Sequence, residues 1–340
     1  LEFNPKLTDI EYKKRKKKRE RKKWRKKMEL SPEILKHMPQ SRTFAEDAPC
    51  FVADDKLITA IQTAVAVGEP LLLTGEAGTG KTQAAYYAAY KLGLEPVIHF
   101  QVKSESTARD LFYHFDMVQY FHDAHFKQLV NTKTTDTHNF DTRLDKIDYI
   151  ESRHLWEAFK FSDQTGKPAV LLIDEIDKAP RDFPNDLLHE LDKMEFTIAE
   201  TRELIRPEKS IRPLVFITSN SERRLPEPFL RRCVYSHIDF NDSLVEKAVK
   251  AHAKHHPEFA NLSEGILRLA MRRFLDIRNH DTLRKKPATG ELLVWLRMLA
   301  LAAGMDAEKL KKQLDTKKLS VLPYLGTLLK DHQDMLEMEV

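Results

Sequence analysis

From about residue 54 the chain alternates two textures of hydrophobic and polar positions. Short unbroken apolar runs at 70–74 (PLLLT), 97–102, 169–173 and 214–218 read as strands buried on both faces. Between them, apolar residues recur at helical spacing over 54–67, 82–92 and 186–194. Strands separated by helices in this way predict an α/β fold: a doubly wound parallel sheet with both faces covered. From about residue 241 only helical patterns remain, as in LVEKAVKAHAKHH and ELLVWLRMLALAA, and this change of texture predicts a second, all-helical domain. Trp156 and Trp295 fall in apolar helical patterns and read as core. The stretch 104–161 is longer and partly polar, with TKTTDTHNFDT (132–142) reading as an irregular insertion. Ahead of the body, SPEIL (31–35) reads as a short capped helix and APCFVADDK as a turn into the globular part. The expected organisation is an arm over 1–40, an α/β domain over 41–240 and a helical lid domain with C-terminal helices over 241–340.

Composition narrows the class. With 340 residues and 41% hydrophobic side chains the chain can bury a sizeable core, yet no run approaches the ~18 apolar residues of a membrane span. Cys50 and Cys233 lie far apart without a CxxC pair, which argues against a disulfide framework or a cysteine zinc site and favours a reducing compartment. No apolar signal-peptide core stands near the start, so the cytoplasm is the expected location. The chain begins at Leu1 rather than methionine and is read as open to preceding sequence.

The net charge of +4 conceals two parts. Residues 13–27 hold thirteen Lys or Arg against Glu20, and without them the remainder sums to −8. Charges this dense repel one another and offer no apolar face beyond Trp24. The arm reads either as a grip on nucleic acid phosphates or another acidic surface, or as a solvated tail.

The strongest chemical signal is GEAGTGKT, comprising Gly75, Glu76, Ala77, Gly78, Thr79, Gly80, Lys81 and Thr82, directly after one predicted strand and before one predicted helix. This is a phosphate-binding loop pattern in the setting it requires. Its glycines let backbone N–H groups turn toward phosphates, and the helix N-terminus beyond favours negative charge. Lys81 would reach the outer phosphates of a nucleotide, and the Thr82 hydroxyl would ligate Mg²⁺. A second signal is AVLLIDEIDKAP, in which an apolar strand ends in Asp174 and Glu175. Open α/β sheets bind ligands at such carboxyl ends. Asp174 would hold the Mg²⁺ shell, and Glu175 would orient or deprotonate the attacking water. Asp177, farther along, reads as a structural cap or salt bridge. The strand PLVFITSN ends at Asn220, an amide able to touch the γ-phosphate or the water. In LPEPFLRRC, Arg231 and Arg232 follow a Pro-bracketed turn and could reach a neighbour's phosphates.

In this order GEAGTGKT, LLIDEIDKAPRDFPNDLLHELDKMEF and FITSNSERRLPEPFLRRC resemble the ATPase core of AAA+ proteins, specifically the MoxR-like branch, over about residues 45–300. The resemblance implies a Walker A loop at 75–82, Walker B acids at Asp174 and Glu175, sensor 1 at Asn220 and an arginine finger at Arg232, with Arg231 in reserve. It implies ATP and Mg²⁺ as ligands and hydrolysis to ADP and phosphate. It further implies a ring, hexameric in this branch, that remodels or matures partner proteins, often ones with a von Willebrand factor A domain. The sensor 2 helix would begin in KKPATGELLVWL, where Gly290 stands at the usual Arg position; Arg284, Lys285 or Lys286 substitutes for it, or the sensor is absent. Two other readings stay open: a nucleic-acid-dependent ATPase such as a loader or translocase subunit, and a nucleotide-dependent switch or scaffold in a defence or signalling assembly. The segment 196–211 reads as a hairpin, either facing a central pore or lying on the surface. His252, His255 and His256 read as a solvated helix face, since no third metal ligand is evident nearby.

Overall fold

A computed structural model describes residues 43–131, 144–316 and 318–338. The basic arm, the predicted helix at 31–35 and the insertion at 132–142 lie outside the described residues.

The described chain opens with α1 (Phe44–Asp47), a 3₁₀ turn (Ala48–Cys50) and α2 (Asp55–Val67). Local chemistry fixes both ends of α2: the Asp54 side chain accepts from Leu57 N at 2.8 Å, and Gly68 closes the helix in the left-handed conformation. Leu57, Ala60, Ile61 and Ala64 recur at helical spacing and are the buried face. Then follow β1 (Leu71–Gly75), α3 (Lys81–Leu92), β2 (Val97–Gln101), α4 (Ala108–Phe112), β3 (Tyr113–Phe115), α5 (Met117–Asn131), β4 (Ile150–Ser152) and α6 (His154–Thr165). The second half of the α/β part runs β5 (Val170–Asp174), α7 (Phe183–Asp186), α8 (Leu188–Lys193), β6 (Phe196–Thr197), β7 (Leu204–Ile205), β8 (Leu214–Ser219), α9 (Glu227–Leu230) and β9 (Val234–Ile238).

Five strands form one parallel sheet in the order β2-β5-β8-β1-β9. Alternate residues of each strand feed opposite faces. Leu72, Leu171, Ile173 and Ile217 pack with Phe159, Phe183 and Phe229 on one side. On the other, Leu71, Leu73, Leu172 and Phe216 meet Ile61 of α2 and Ala84, Ala85 and Ala88 of α3. The small residues of α3 let its axis lie close to the sheet, which places its N-terminus over the end of β1. Because β8 lies between β1 and β5, three strands deliver their carboxyl ends side by side.

Three details depart from the sequence expectation. The helix predicted over 186–194 is two short ones, α7 and α8, with Leu187 as the joint between them. The edge strand β9 was not foreseen, because Val234-Tyr-Ser-His-Ile mixes polar and apolar residues and only Ser236 is buried. Within 104–161 the chain also forms an antiparallel pair, β3 with β4. The hairpin expected over 196–211 is present as β6 paired with β7.

Beyond β9 come α10 (Asp242–His255), α11 (Glu264–Arg278), α12 (Thr289–Leu314) and α13 (His332–Glu337). They bury their own apolar cluster, with Phe274, Trp295, Leu296 and Leu299 at its centre. Trp295 is fully buried and donates its indole N–H to Pro323 O at 2.8 Å, whereas Trp156 is half-buried against the α/β core. The described residues from Phe44 onward form one compact unit. Among the described residues no helix is long and apolar enough to cross a membrane.

Candidate nucleotide site

The glycine-rich loop leaves β1 at Gly75 and enters α3 at Lys81. At Gly75 (φ 148°) a Cβ would stand 2.5 Å from Ile238 O, so only glycine lets β9 close on the loop. Gly80 (φ 94°) is the N-cap of α3 and brings no side-chain oxygen to the helix's first-turn N–H groups, which therefore stay open to an anion. Lys81 is buried, and its ammonium donates to Gly75 O (2.9 Å) and Glu76 O (2.8 Å). Burial pushes the lysine below its ordinary pKa; the carboxylates of Asp177, Asp174, Glu175 and Glu76 pull the other way without restoring it. A phosphate here would add negative charge at the buried ammonium.

Thr82 donates to both carboxylate oxygens of Asp174, at 3.0 and 3.1 Å. Asp174 also accepts from Thr218 (2.5 Å) and contacts His99 Nε2 (3.2 Å). Burial alone would raise this carboxyl, but the contacts from His99, Thr218 and Thr82 outweigh it and hold Asp174 below its ordinary range. Two oxygens sharing an edge of a Mg²⁺ octahedron with bonds of 2.0–2.1 Å lie about 3 Å apart. The Thr82–Asp174 pair already has that spacing, so this donor set fits the cation.

Glu175 follows in the left-handed region (φ 60°, ψ 51°), an unfavoured conformation for a residue with a Cβ. Its N–H is fixed by Thr218 Oγ1 at 2.8 Å. Its carboxylate accepts from Gln101 (2.6 Å) and pairs with Lys178 through Oε2, while Oε1 lies 3.4 Å from Asn220 Nδ2. Asp177 is buried and accepts from the N–H groups of Asn220 (3.3 Å) and Glu222 (2.9 Å). It ties the turn after β5 to the turn after β8, the structural part expected of it.

The structure thus brings together Lys81, Thr82, Asp174, Glu175 and Asn220. Arg231 and Arg232 stand apart, with side chains 76% and 46% exposed. Arg231 pairs with Glu227 at 3.3 Å and Arg232 with Asp192 at 2.6 Å. Among the described residues neither bonds the glycine-rich loop or the β5 acids.

Sequence reasoning missed three groups here. His99 and Gln101, on β2, reach the β5 acids only because β2 pairs with β5 in register. Arg278, at the end of α11, is buried. It donates to Pro287 O (2.7 Å) and to Glu76 Oε2 in the loop (2.7 Å), and lies 3.6 Å over the Phe240 ring. Arg284, Lys285 and Lys286, the substitutes considered for the missing Arg at Gly290, are exposed. From the helical region Arg278 reaches the loop, through Glu76. Beside the loop a cavity of about 210 Å³ opens between α2, α10 and the start of α12, walled by Val52, Leu57, Leu244, Val245 and Ala248.

Residues 70–233 match the model of the AAA domain, dynein-related subfamily. No curated protein matches the chain. Among solved structures it is similar to a candidate ATPase from Cytophaga hutchinsonii, at 13% identity over 86% of this chain and 91% of that one, with a TM-score of 0.40. It is also similar to domain III of the Thermotoga maritima replication initiation protein DnaA, at 12% identity over 80% of this chain and 93% of that one, with a TM-score of 0.42. At scores below 0.5 these two overlaps carry no weight for fold or function.

Proposed function

Residues 70–233 belong to the AAA domain family, and from that premise we propose that the protein binds ATP with Mg²⁺ where β1, β5 and β8 end, and hydrolyses it to ADP and phosphate as an oligomer that remodels or matures partner proteins. The observation that carries the reading is the convergence of a buried ammonium, a hydroxyl–carboxylate pair at cation spacing and a second carboxylate beside an amide.

In this reading the open N–H groups of α3 and the Lys81 ammonium hold the phosphates. The apolar cavity beside the loop takes the base. Thr82 and Asp174 hold the cation, whose contribution when bound is to neutralise charge on the phosphate oxygens. Glu175 orients the attacking water and accepts its proton, and Asn220 keeps that carboxylate turned toward the site. Arg278 answers to the loop from the helical region through Glu76. Arg232, held outward by Asp192, serves the site of an adjoining subunit, with Arg231 as the reserve. Such fingers contribute roughly 10³ to 10⁵ in rate to GTPases.

The MoxR-like branch, a hexameric ring and a partner with a von Willebrand factor A domain are supported by the sequence resemblance. The cytoplasm is supported by composition. Dependence on nucleic acid is supported by the basic arm alone.

The test is Glu175→Gln. The amide keeps the shape of the side chain and loses its basicity, so the variant should bind ATP as the parent does while its steady-state turnover falls by at least about 100-fold, the scale of general base catalysis. Turnover at the parental rate would remove Glu175 from the reaction and the proposed site with it.

A further inference from the structure

On the far wall of the apolar cavity the fold assembles side chains that the proposed ATPase chemistry leaves unused. His252 lies in the last turn of α10 and His256 at its C-cap, one helical turn apart, with rings stacked at 5.3 Å between centroids. The chain just ahead of α2, some 200 residues earlier, brings Asp47 and Cys50 against them. A ligand atom from each of Asp47, Cys50, His252 and His256 lies within 4.8 Å of all the others. Cys50 is fully buried, with its sulfur 3.9 Å from His256 Nε2. Asp47 Oδ1 is buried and 3.0 Å from the same nitrogen, yet out of hydrogen-bond alignment with it. A buried carboxylate oxygen without a hydrogen-bond partner, beside a buried thiol and two imidazoles, is what ligands gathered round a common centre present.

We propose that Cys50, His252, His256 and Asp47 form a four-ligand site for a divalent cation of zinc type, stapling the segment ahead of α2 to α10 at the wall of the cavity. The chemistry selects the ion: thiolate and imidazole suit Zn²⁺ and not Mg²⁺ or Ca²⁺. With Zn–N near 2.0–2.1 Å and Zn–S near 2.3 Å, tetrahedral edges run about 3.3–3.6 Å. The 3.0 and 3.9 Å separations bracket that range, and no pair, all within 4.8 Å, needs to close by more than about 1.5 Å. A thiolate, a carboxylate and two neutral imidazoles carry −2, which the ion cancels, so the filled site is neutral in its half-buried setting. Four protein ligands leave no open position, so the site is structural. The sequence offered no third ligand near the histidines; the fold brings Asp47 and Cys50 beside His252 and His256 by tertiary contact.

Cobalt substitution tests this on the untagged full chain. After removal of bound metal, one equivalent of Co²⁺ should give a near-ultraviolet thiolate-to-cobalt charge-transfer band and the intense visible bands of tetrahedral cobalt, and one equivalent of Zn²⁺ should abolish both. Cys50→Ser should lose the charge-transfer band, and His256→Ala should fail to bind cobalt at one equivalent. Cys233→Ser, and His255→Ala on the same helix outside the cluster, should behave as the parent. Absence of the charge-transfer band in the parent protein, or its persistence in Cys50→Ser, would overturn the proposal. The parent measurement decides even where a variant fails to fold, and no readout depends on ATP turnover.

Discussion

Lys81 concentrates the residue-scale argument. Its ammonium is desolvated and bonded to two carbonyls of its own loop, an arrangement whose electrostatic return comes when phosphate oxygens replace water. Charged hydrogen bonds of this kind are worth about 1.5–3 kcal/mol. Lys81→Ala should therefore weaken ATP binding by roughly 10- to 150-fold in a titration with a fluorescent analogue; undiminished affinity would remove the loop from the site. Asp174 makes a prediction of the opposite charge. Its folded pKa lies below the unfolded value of about 3.9, so the native state binds the proton more weakly than the unfolded chain. The carboxylate's contribution to stability is complete above that unfolded value and is lost as pH falls below it, through the folded one. Asp174→Asn should flatten the acid limb of a stability profile measured by urea unfolding between pH 3 and 6; an unchanged slope would mean that Asp174 is not the group held ionised.

At the scale of elements, the proposed catalytic geometry depends on two turns, one after β5 and one after β8, being held in step. Asp177 does this by accepting N–H groups of Asn220 and Glu222. Asp177→Ala leaves those donors without an acceptor and should cost about 1–3 kcal/mol of stability. Turnover should fall too, since Asn220 is no longer fixed beside Glu175. Thermal unfolding and kcat on the same preparation check both; a stable variant with full activity would show that the turns hold themselves. The elements that carry these groups were legible wherever an apolar run is unbroken: β1, β2, β5 and β8 fall within a residue of their expected bounds. Edge strand β9 was hidden by its polar positions, and the break at Leu187 by helical spacing that continues across it. Lys81, Asp174, Glu175 and Asn220 could be found because each sits at the end of a run with a marked signature. His99, Gln101 and Arg278 could not, because they reach the site by strand register or across the space between the sheet and α11. Asp47 and Cys50 reach His252 and His256 for the same tertiary reason.

At the scale of the whole molecule, the proposed function requires one active site to be built from two copies of the chain. Arg232 is half-exposed and tethered to Asp192 on α8; in the proposed function it serves a neighbour, while Glu175 serves the site of its own chain. Arg232→Ala should leave ATP binding intact and reduce hydrolysis by roughly 10³-fold or more. The most direct measurement mixes Arg232→Ala with Glu175→Gln under conditions where labelled subunits demonstrably exchange, and follows ATPase rate against mixing ratio. Each variant alone should be nearly inactive, and the mixture should recover part of the parental rate, greatest near equal proportions, because some interfaces then pair an intact Glu175 with an intact Arg232. Mixtures as inactive as their components despite exchange, or an Arg232→Ala variant that is fully active alone, would contradict the shared site.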